Sequence, residues 1–238
     1  MSDFIQASIR SSKQIIEMLS QRKPQYMKKH RIGAGGDISL GADLLSEEIF
    51  MEYFLELGSV DSEESGYIQG KGSDIIVLDP LDGSDNYLSN IPYYGASIAL
   101  CDENRHTKEA IVINFCTQIA HYSDGNGIKY INLNSDLEIS KNQTLPKCGI
   151  FEKSYSNPLL CTKMYEQKMK FRSLGAIALS LASAHDVNFV FFAGNIREYD
   201  CKAGLFLCNG LWIKKSDSFL LVSKNKQIFD IITKIAED

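Results

Sequence analysis

The chain has 238 residues, 44% of them hydrophobic and 23% charged, with a formal net charge of −5. That length buries one large core or two modest ones, and the composition is that of a globular protein, not a disordered one. The acidic balance argues against a general nucleic-acid surface, and no apolar run is long enough to span a bilayer.

From the N-terminus, no basic segment leads into a long apolar stretch, so the expected setting is the cytoplasm, with no nucleic-acid or membrane partner. Apolar residues recur at helical spacing from Phe4 to Leu19. The basic run Lys28-Lys29-His30-Arg31 precedes Gly33-Ala34-Gly35-Gly36. It reads as a solvated loop or as an arm that closes over a site. Ser39 is placed to cap a second helix whose stripe runs Leu45, Ile49, Tyr53 and Leu57, with Gly58 ending it. Ile75 to Leu78 is a buried strand that Pro80 is expected to break after Asp79. Further strands are expected at Tyr94 to Leu100 and Ala110 to Phe115. A hairpin turn at Asp124-Gly125-Asn126-Gly127 joins strands near Ala120 and Tyr130.

The second half alternates strand-like pieces near Gly149 and Val190 with helices at Leu174 to Ala184, Ala203 to Leu207 and Gln227 to Ala236. The chain therefore divides into an antiparallel α+β half, 1–135, and an α/β half with a mixed sheet, 136–238. Six cysteines lack metal-binding spacing and are expected as free thiols. The four histidines do not cluster with the acidic segments and are expected as ordinary surface or core residues.

The chemistry concentrates in Asp79-Pro80-Leu81-Asp82-Gly83-Ser84. Two carboxylates three residues apart on a turn point into one small volume, where they repel unless a cation sits between them. Oxygen ligands suit magnesium. Gly83 admits close backbone approach, and Ser84 starts a helix whose free amides face an anion. Taken alone, the hexapeptide is equally an Asx-rich surface turn. Three more segments bear on the choice. Ser62-Glu63-Glu64-Ser65 adds a carboxylate or is a solvated face. Asp200, in Tyr199-Asp200-Cys201-Lys202-Ala203-Gly204, is a site residue or a helix cap. Asp43 is a site residue or a favourable first-turn charge. Arg197 and Glu198 are open to two readings, a surface ion pair or groups facing a leaving group.

These four segments, in this order, resemble the inositol monophosphatase / fructose-1,6-bisphosphatase superfamily. Ser62–Ser65 matches its G-E-E-S, Asp79–Ser84 its D-P-[IL]-D-G-[TS], Tyr199–Gly204 its W-D-x-A-[AG]-G, and Arg172–Ala176 its R-x-x-G-[ST]. The resemblance implies a layered αβαβα sandwich of the α+β class and a magnesium-dependent, lithium-sensitive phosphomonoesterase. It implies two or three magnesium ions, one held by Glu63, Asp79 and the Leu81 carbonyl, another by Asp79, Asp82 and Asp200. Gly83 and Ser84 would donate to the phosphate, with Asp82 and Asp200 beside the substrate. Asp43 would pair with the Ser84 hydroxyl to orient and deprotonate water. A small phosphorylated sugar or polyol is the implied partner, with inositol 1-phosphate and fructose 1,6-bisphosphate as candidates, and the implied assembly is a homodimer. Ser62, Tyr199 and Ser84 depart from the usual glycine, tryptophan and threonine without removing a ligand. Ala193 stands where inositol monophosphatases carry a substrate-holding glutamate, which weakens the case for inositol phosphate. Some bacterial members bind the transcription machinery, which is the alternative to an enzyme.

Overall fold

The structure is a computed structural model, and it describes residues 1–140 and 145–237. The first part of the chain runs α1 (Asp3–Ser20), β1 (Lys29–Ile32), β2 (Ile38–Leu40), α2 (Gly41–Phe54), β3 (Ser59–Ser62), β4 (Gly66–Ile68), β5 (Ile75–Asp82), α3 (Ser84–Leu88), β6 (Gly95–Cys101), β7 (Thr107–Asn114), β8 (Ile119–Ser123), β9 (Lys129–Asn132) and β10 (Leu137–Glu138). The second part runs β11 (Gly149–Glu152), α4 (Pro158–Glu166), β12 (Phe171–Arg172), α5 (Ile177–Ala182), β13 (Val190–Ala193), α6 (Glu198–Leu207), β14 (Trp212–Lys215), β15 (Phe219–Ser223) and α7 (Lys226–Glu237). An eight-stranded sheet of order β10-β9-β8-β7-β6-β5-β3-β4 is built wholly from the first part, and a five-stranded sheet of order β12-β11-β13-β15-β14 wholly from the second. The first sheet ends at Glu138 and the second begins at Gly149. The expected division at 135/136 precedes the last short strand of the first sheet, and residues 141–144 of the connection lie outside the described residues.

Period-2 alternation explains the stacking. On β5 and β6, Ile76, Leu78, Ala96 and Ile98 point to a core shared with α1 and α2, which supply Phe4, Ile5, Phe50 and Phe54. The intervening Val77, Ala99 and Cys101 point the other way, onto Ala178, Leu179, Ala182, Ala203 and Leu207 of α5 and α6. Those two helices turn their opposite sides, Ile177, Leu181 and Cys201, to Val190, Phe192, Leu220 and Val222 of the second sheet. Its far face, Phe191, Phe219 and Leu221, packs on Met164 of α4 and Ile232 and Ile235 of α7. The layers are therefore α1/α2, sheet, α5/α6, sheet, α4/α7, the αβαβα sandwich of the α+β class. α5 is buried along its whole length because it is a middle layer with a sheet on each side. Among the described residues, no helix is long and apolar enough to cross a membrane. All six cysteines are free, and three of them, Cys101, Cys201 and Cys208, are buried.

Several local expectations change. β5 does not stop at Asp79. It continues to Asp82 because the pairing slips from Asp79↔Ser97 to Asp82↔Gly95, a bulge that accommodates Pro80. Ser39 does not cap α2. Its hydroxyl is given to Glu64, and the Leu40 N–H at the cap is taken by Asp43 Oδ2 at 2.7 Å. The helix expected from Leu174 shortens to Ile177–Ala182, because Gly175 turns the chain at φ +82°.

Candidate active site

Strand register brings the first two carboxylates together. β3 runs parallel to β5 with Ser62 opposite Leu78, so the next residue on each strand is Glu63 and Asp79. The Glu63 N–H donates to the Leu78 carbonyl at 3.0 Å and continues the ladder by one step. The third carboxylate comes from the second half. Asp200 sits in the first turn of α6, where the helix dipole favours an anion. One oxygen each of Glu63, Asp79 and Asp200 lies within 4.8 Å of the others.

Asp82 stands beside this group, committed in part elsewhere. Its Oδ2 accepts the Leu179 N–H of α5 at 3.1 Å. The next residue, Gly83, caps α3 at φ +87°. A side chain there would place a Cβ 2.9 Å from the Tyr93 carbonyl oxygen and 3.1 Å from the Ala176 Cβ, so glycine is required by both conformation and space. Asn86 then ties α3 to the second half, donating from Nδ2 to the Tyr93 and Leu174 carbonyls, each at 2.7 Å. Leu81 donates its N–H to Asp79 Oδ1 at 3.0 Å.

Asp43 is 4% exposed on the first turn of α2. Its Oδ1 is buried with no hydrogen-bond partner, so the Asp43–Ser84 bond implied by the resemblance is not formed. Both residues nevertheless line one narrow cavity of about 90 Å³, together with Glu63, Asp79, Asp82 and Asp200. A wider cavity of about 340 Å³ adjoins it, lined by Asp82, Gly83, Ser84, Glu152, Lys153, Gly175, Phe192 and Asp200 among others.

Burial dominates the electrostatics. It raises the Asp79 carboxyl well above the usual range, and Glu63, Asp82 and Asp200 push the same way. Asp82 is raised well above its usual value by burial, then by Asp200. Burial lifts Glu63 to about 7 against the opposing pull of Arg197, and lifts Asp43 to about 8 against its bond from Leu40. The one guanidinium among these buried carboxylates, Arg197, reaches Glu63 and Asp200 but cannot balance four of them; an orphaned carboxylate oxygen sits beside them, and every donor is a hard oxygen. That set fits a magnesium-type dication.

Glu152 escaped the sequence reading, and Arg197 was named there without its partners. Arg197 does not pair with Glu198, which is held instead by Arg105 at 2.7 Å and Lys202 at 2.5 Å. Its guanidinium forks onto Asp200, Nε to Oδ2 at 2.9 Å and Nη2 to Oδ1 at 3.0 Å, and reaches Glu63 at 2.8 Å. The i,i+3 spacing of Arg197 and Asp200 was the available signal. Glu152, 2% exposed at the end of β11, accepts the Gly175 and Leu174 N–H groups at 2.8 and 3.1 Å and the Ser180 hydroxyl at 2.5 Å. A charged residue closing the apolar run Gly149-Ile150-Phe151 was its only signal. The Gly33–Gly36 segment does touch the site. Ala34 and Gly35 donate N–H groups to the Glu64 and Glu63 carbonyls at 3.1 and 2.7 Å. The histidines take other roles, among them His121 against the Ala182 carbonyl and His185 against the Leu207 carbonyl.

Known proteins agree with this architecture. The sequence model of the inositol monophosphatase family matches residues 1–211. A fructose-1,6-bisphosphatase of Pyrococcus furiosus is 27% identical over 161 residues, covering 67% of this chain and 61% of its own. A Nus factor SuhB of Haemophilus influenzae is 26% identical over 155 residues, covering 61% and 58%. The chain thus spans about three fifths of the length of these curated relatives. The crystal structure of Leishmania major fructose-1,6-bisphosphatase in holo form superposes with a TM-score of 0.81 over 99% of this chain and 95% of its own, at 15% identity, and so shares the fold. With the family model spanning all four acidic segments and the fold shared, the chain belongs to the inositol monophosphatase family of metal-dependent phosphatases.

Proposed function

We infer that this chain is a magnesium-dependent phosphomonoesterase acting on a small sugar or polyol phosphate. The observation that carries the reading is the buried group Glu63, Asp79 and Asp200, which lines a narrow cavity together with Gly83 and Ser84. A phosphate monoester dianion cannot approach such a cluster unless cations offset the charge. Glu63, Asp79 and the Leu81 carbonyl would hold one magnesium ion, and Asp79, Asp82 and Asp200 a second. Magnesium bound there supplies positive charge against the phosphate and acidifies water.

The chain's own groups supply the rest. The backbone N–H groups of Gly83 and Ser84 donate to phosphate oxygens, and Asn86 and Glu152 fix the two walls that hold them. Asp43 Oδ1, buried and without a partner, accepts the proton of the attacking water, with the Ser84 hydroxyl orienting it. The water oxygen bonds to phosphorus, the P–O bond to the sugar breaks, and the leaving alkoxide takes up a proton. The wider cavity of about 340 Å³ suits a sugar or polyol body.

The test is phosphate release from a panel of sugar and polyol phosphates with magnesium, with chelator and with added lithium. Magnesium-dependent release supports the reading, and no release from a folded protein overturns it. A second reading is favoured by the relative named Nus factor SuhB. On that reading the chain binds the transcription machinery, and RNA polymerase recovered with the protein, without phosphatase turnover, would support it.

A further inference from the structure

Arg197 occupies an unusual position for a surface arginine. It is the N-cap of α6, with extended backbone at φ −72° and ψ 158°. Its guanidinium contacts acceptors from three separate parts of the chain. Nε and Nη2 take both oxygens of Asp200, while Nη1 meets Glu63 Oε1 at 2.8 Å, Asp37 Oδ2 at 2.8 Å and the Gly35 carbonyl at 3.0 Å. Two of these partners, Glu63 and Asp200, are two of the three carboxylates of the acidic centre. The other two, Gly35 and Asp37, belong to the tip between β1 and β2, a hairpin whose β1 residues are all exposed.

A carboxylate oxygen that accepts a guanidinium N–H in line has that lone pair occupied, and with Asp200 both oxygens are engaged. Each of those oxygens keeps a second lone pair, but a dication that takes Glu63 and Asp200 as ligands must come close to the Arg197 charge and so competes with it electrostatically. The same guanidinium fastens the tip to the centre, so the two events share one side chain.

We propose that Arg197 is an exchangeable internal cation of this centre. It neutralises Glu63 and Asp200 when the centre holds no metal, clamps the Gly33–Asp37 tip over it, and is displaced from those carboxylates as metal binds. The proposal rests on reading Glu63, Asp79 and Asp200 as the metal centre. It adds a regulatory term: the affinity for metal is set by the difference between two cations and is lower than the carboxylates alone would give. Lysine at this position would keep the charge and lose the fork.

The experiment uses the whole chain stripped of metal by chelation. Magnesium affinity is measured by calorimetry for the wild type, Arg197→Gln and Arg197→Lys, and trypsin cleavage at Lys28, Lys29 and Arg31 is followed in chelator. Arg197→Gln is expected to bind magnesium roughly tenfold more tightly than the wild type, with Arg197→Lys between them, and to be cut several-fold faster in the hairpin. Asp37→Asn removes one tether of the tip from a side chain that is 81% exposed, so it folds even where Arg197→Gln does not. It is expected to speed cleavage while leaving magnesium affinity near that of the wild type. Unchanged or weaker magnesium binding by Arg197→Gln, beside a wild type that binds, overturns the proposal alone. A wild type that binds no magnesium overturns the reading of the centre beneath it.

Discussion

Asp82 holds the N–H of Leu179, 97 residues further along the chain, at 3.1 Å. One carboxylate therefore does two things: its Oδ2 caps the buried helix α5, and its charge faces Asp200. The two duties separate under mutation. Asp82→Asn keeps an acceptor for Leu179 and loses the charge, whereas Asp82→Ala loses both. Phosphatase turnover is expected to fall at least 100-fold in each variant. Only Asp82→Ala is expected to melt substantially earlier, by roughly 1–2 kcal/mol as for a lost helix cap. Thermal denaturation alongside phosphate release checks the separation, and equal melting temperatures would remove the capping role.

Asp79 is 3% exposed, and three carboxylates add to the cost of its charge. Asp79→Asn removes that charge at nearly constant volume. Turnover is expected to vanish, while the melting temperature in chelator holds or rises by a few degrees. Retained turnover at saturating magnesium would exclude Asp79 as a shared ligand.

The acidic centre also sets a pH dependence. Asp43 and Glu63 titrate near 8 and near 7 in the folded protein, above their ordinary values of 3.8 and 4.5. Between those limits the folded state binds more protons than the unfolded state, so stability falls as pH rises. The full contribution is present below about pH 4 and is lost as pH climbs through about 8. In chelator, the melting temperature is expected to drop by roughly 5 °C or more from pH 5 to pH 8. Magnesium is expected to restore more of it at pH 8 than at pH 5, since binding releases protons. Asp43→Asn should flatten the chelator curve, and a pH-independent melt would show that these carboxylates are not buried together.

Gly83→Ala tests the turn between the two site motifs. The substitution puts a Cβ at φ +87° and within 2.9 Å of a backbone carbonyl. It is expected to cost about 1–3 kcal/mol and to weaken phosphate handling with it. A variant with wild-type stability and KM would mean the turn has more freedom than its neighbours allow.

The layer order came with the family resemblance, and the residues themselves offered only buried strands and helices at local spacing. Ile76 and Leu78 against Val77 already say that β5 is covered on both sides. Glu63, Asp79, Asp82 and Asp200 could be gathered because their segments carry a family pattern. Proline misled the reading of β5, since a bulge that absorbs Pro80 depends on how β6 pairs and leaves no trace in the local residues. Ser39 misled the reading of α2 because Glu64, which takes its hydroxyl, lies 25 residues away. The partners of Arg197, and Glu152 itself, were missed for the same reason. Their partners, Asp37 and Glu63 for the one and Leu174, Gly175 and Ser180 for the other, are set by tertiary packing.

The sequence positions of the centre carry a consequence for how the molecule is made. Glu63, Asp79 and Asp82 belong to the first sheet, whereas Asp200, Arg197 and the amide that caps Asp82 arrive with α5 and α6. A nascent chain that has emerged only as far as β10 therefore shows three acidic side chains with neither their cation nor their cap. The centre is therefore complete only once the two halves dock and Asp200 arrives, whereas Glu63, Asp79 and the Leu81 carbonyl already stand together when the first sheet has formed.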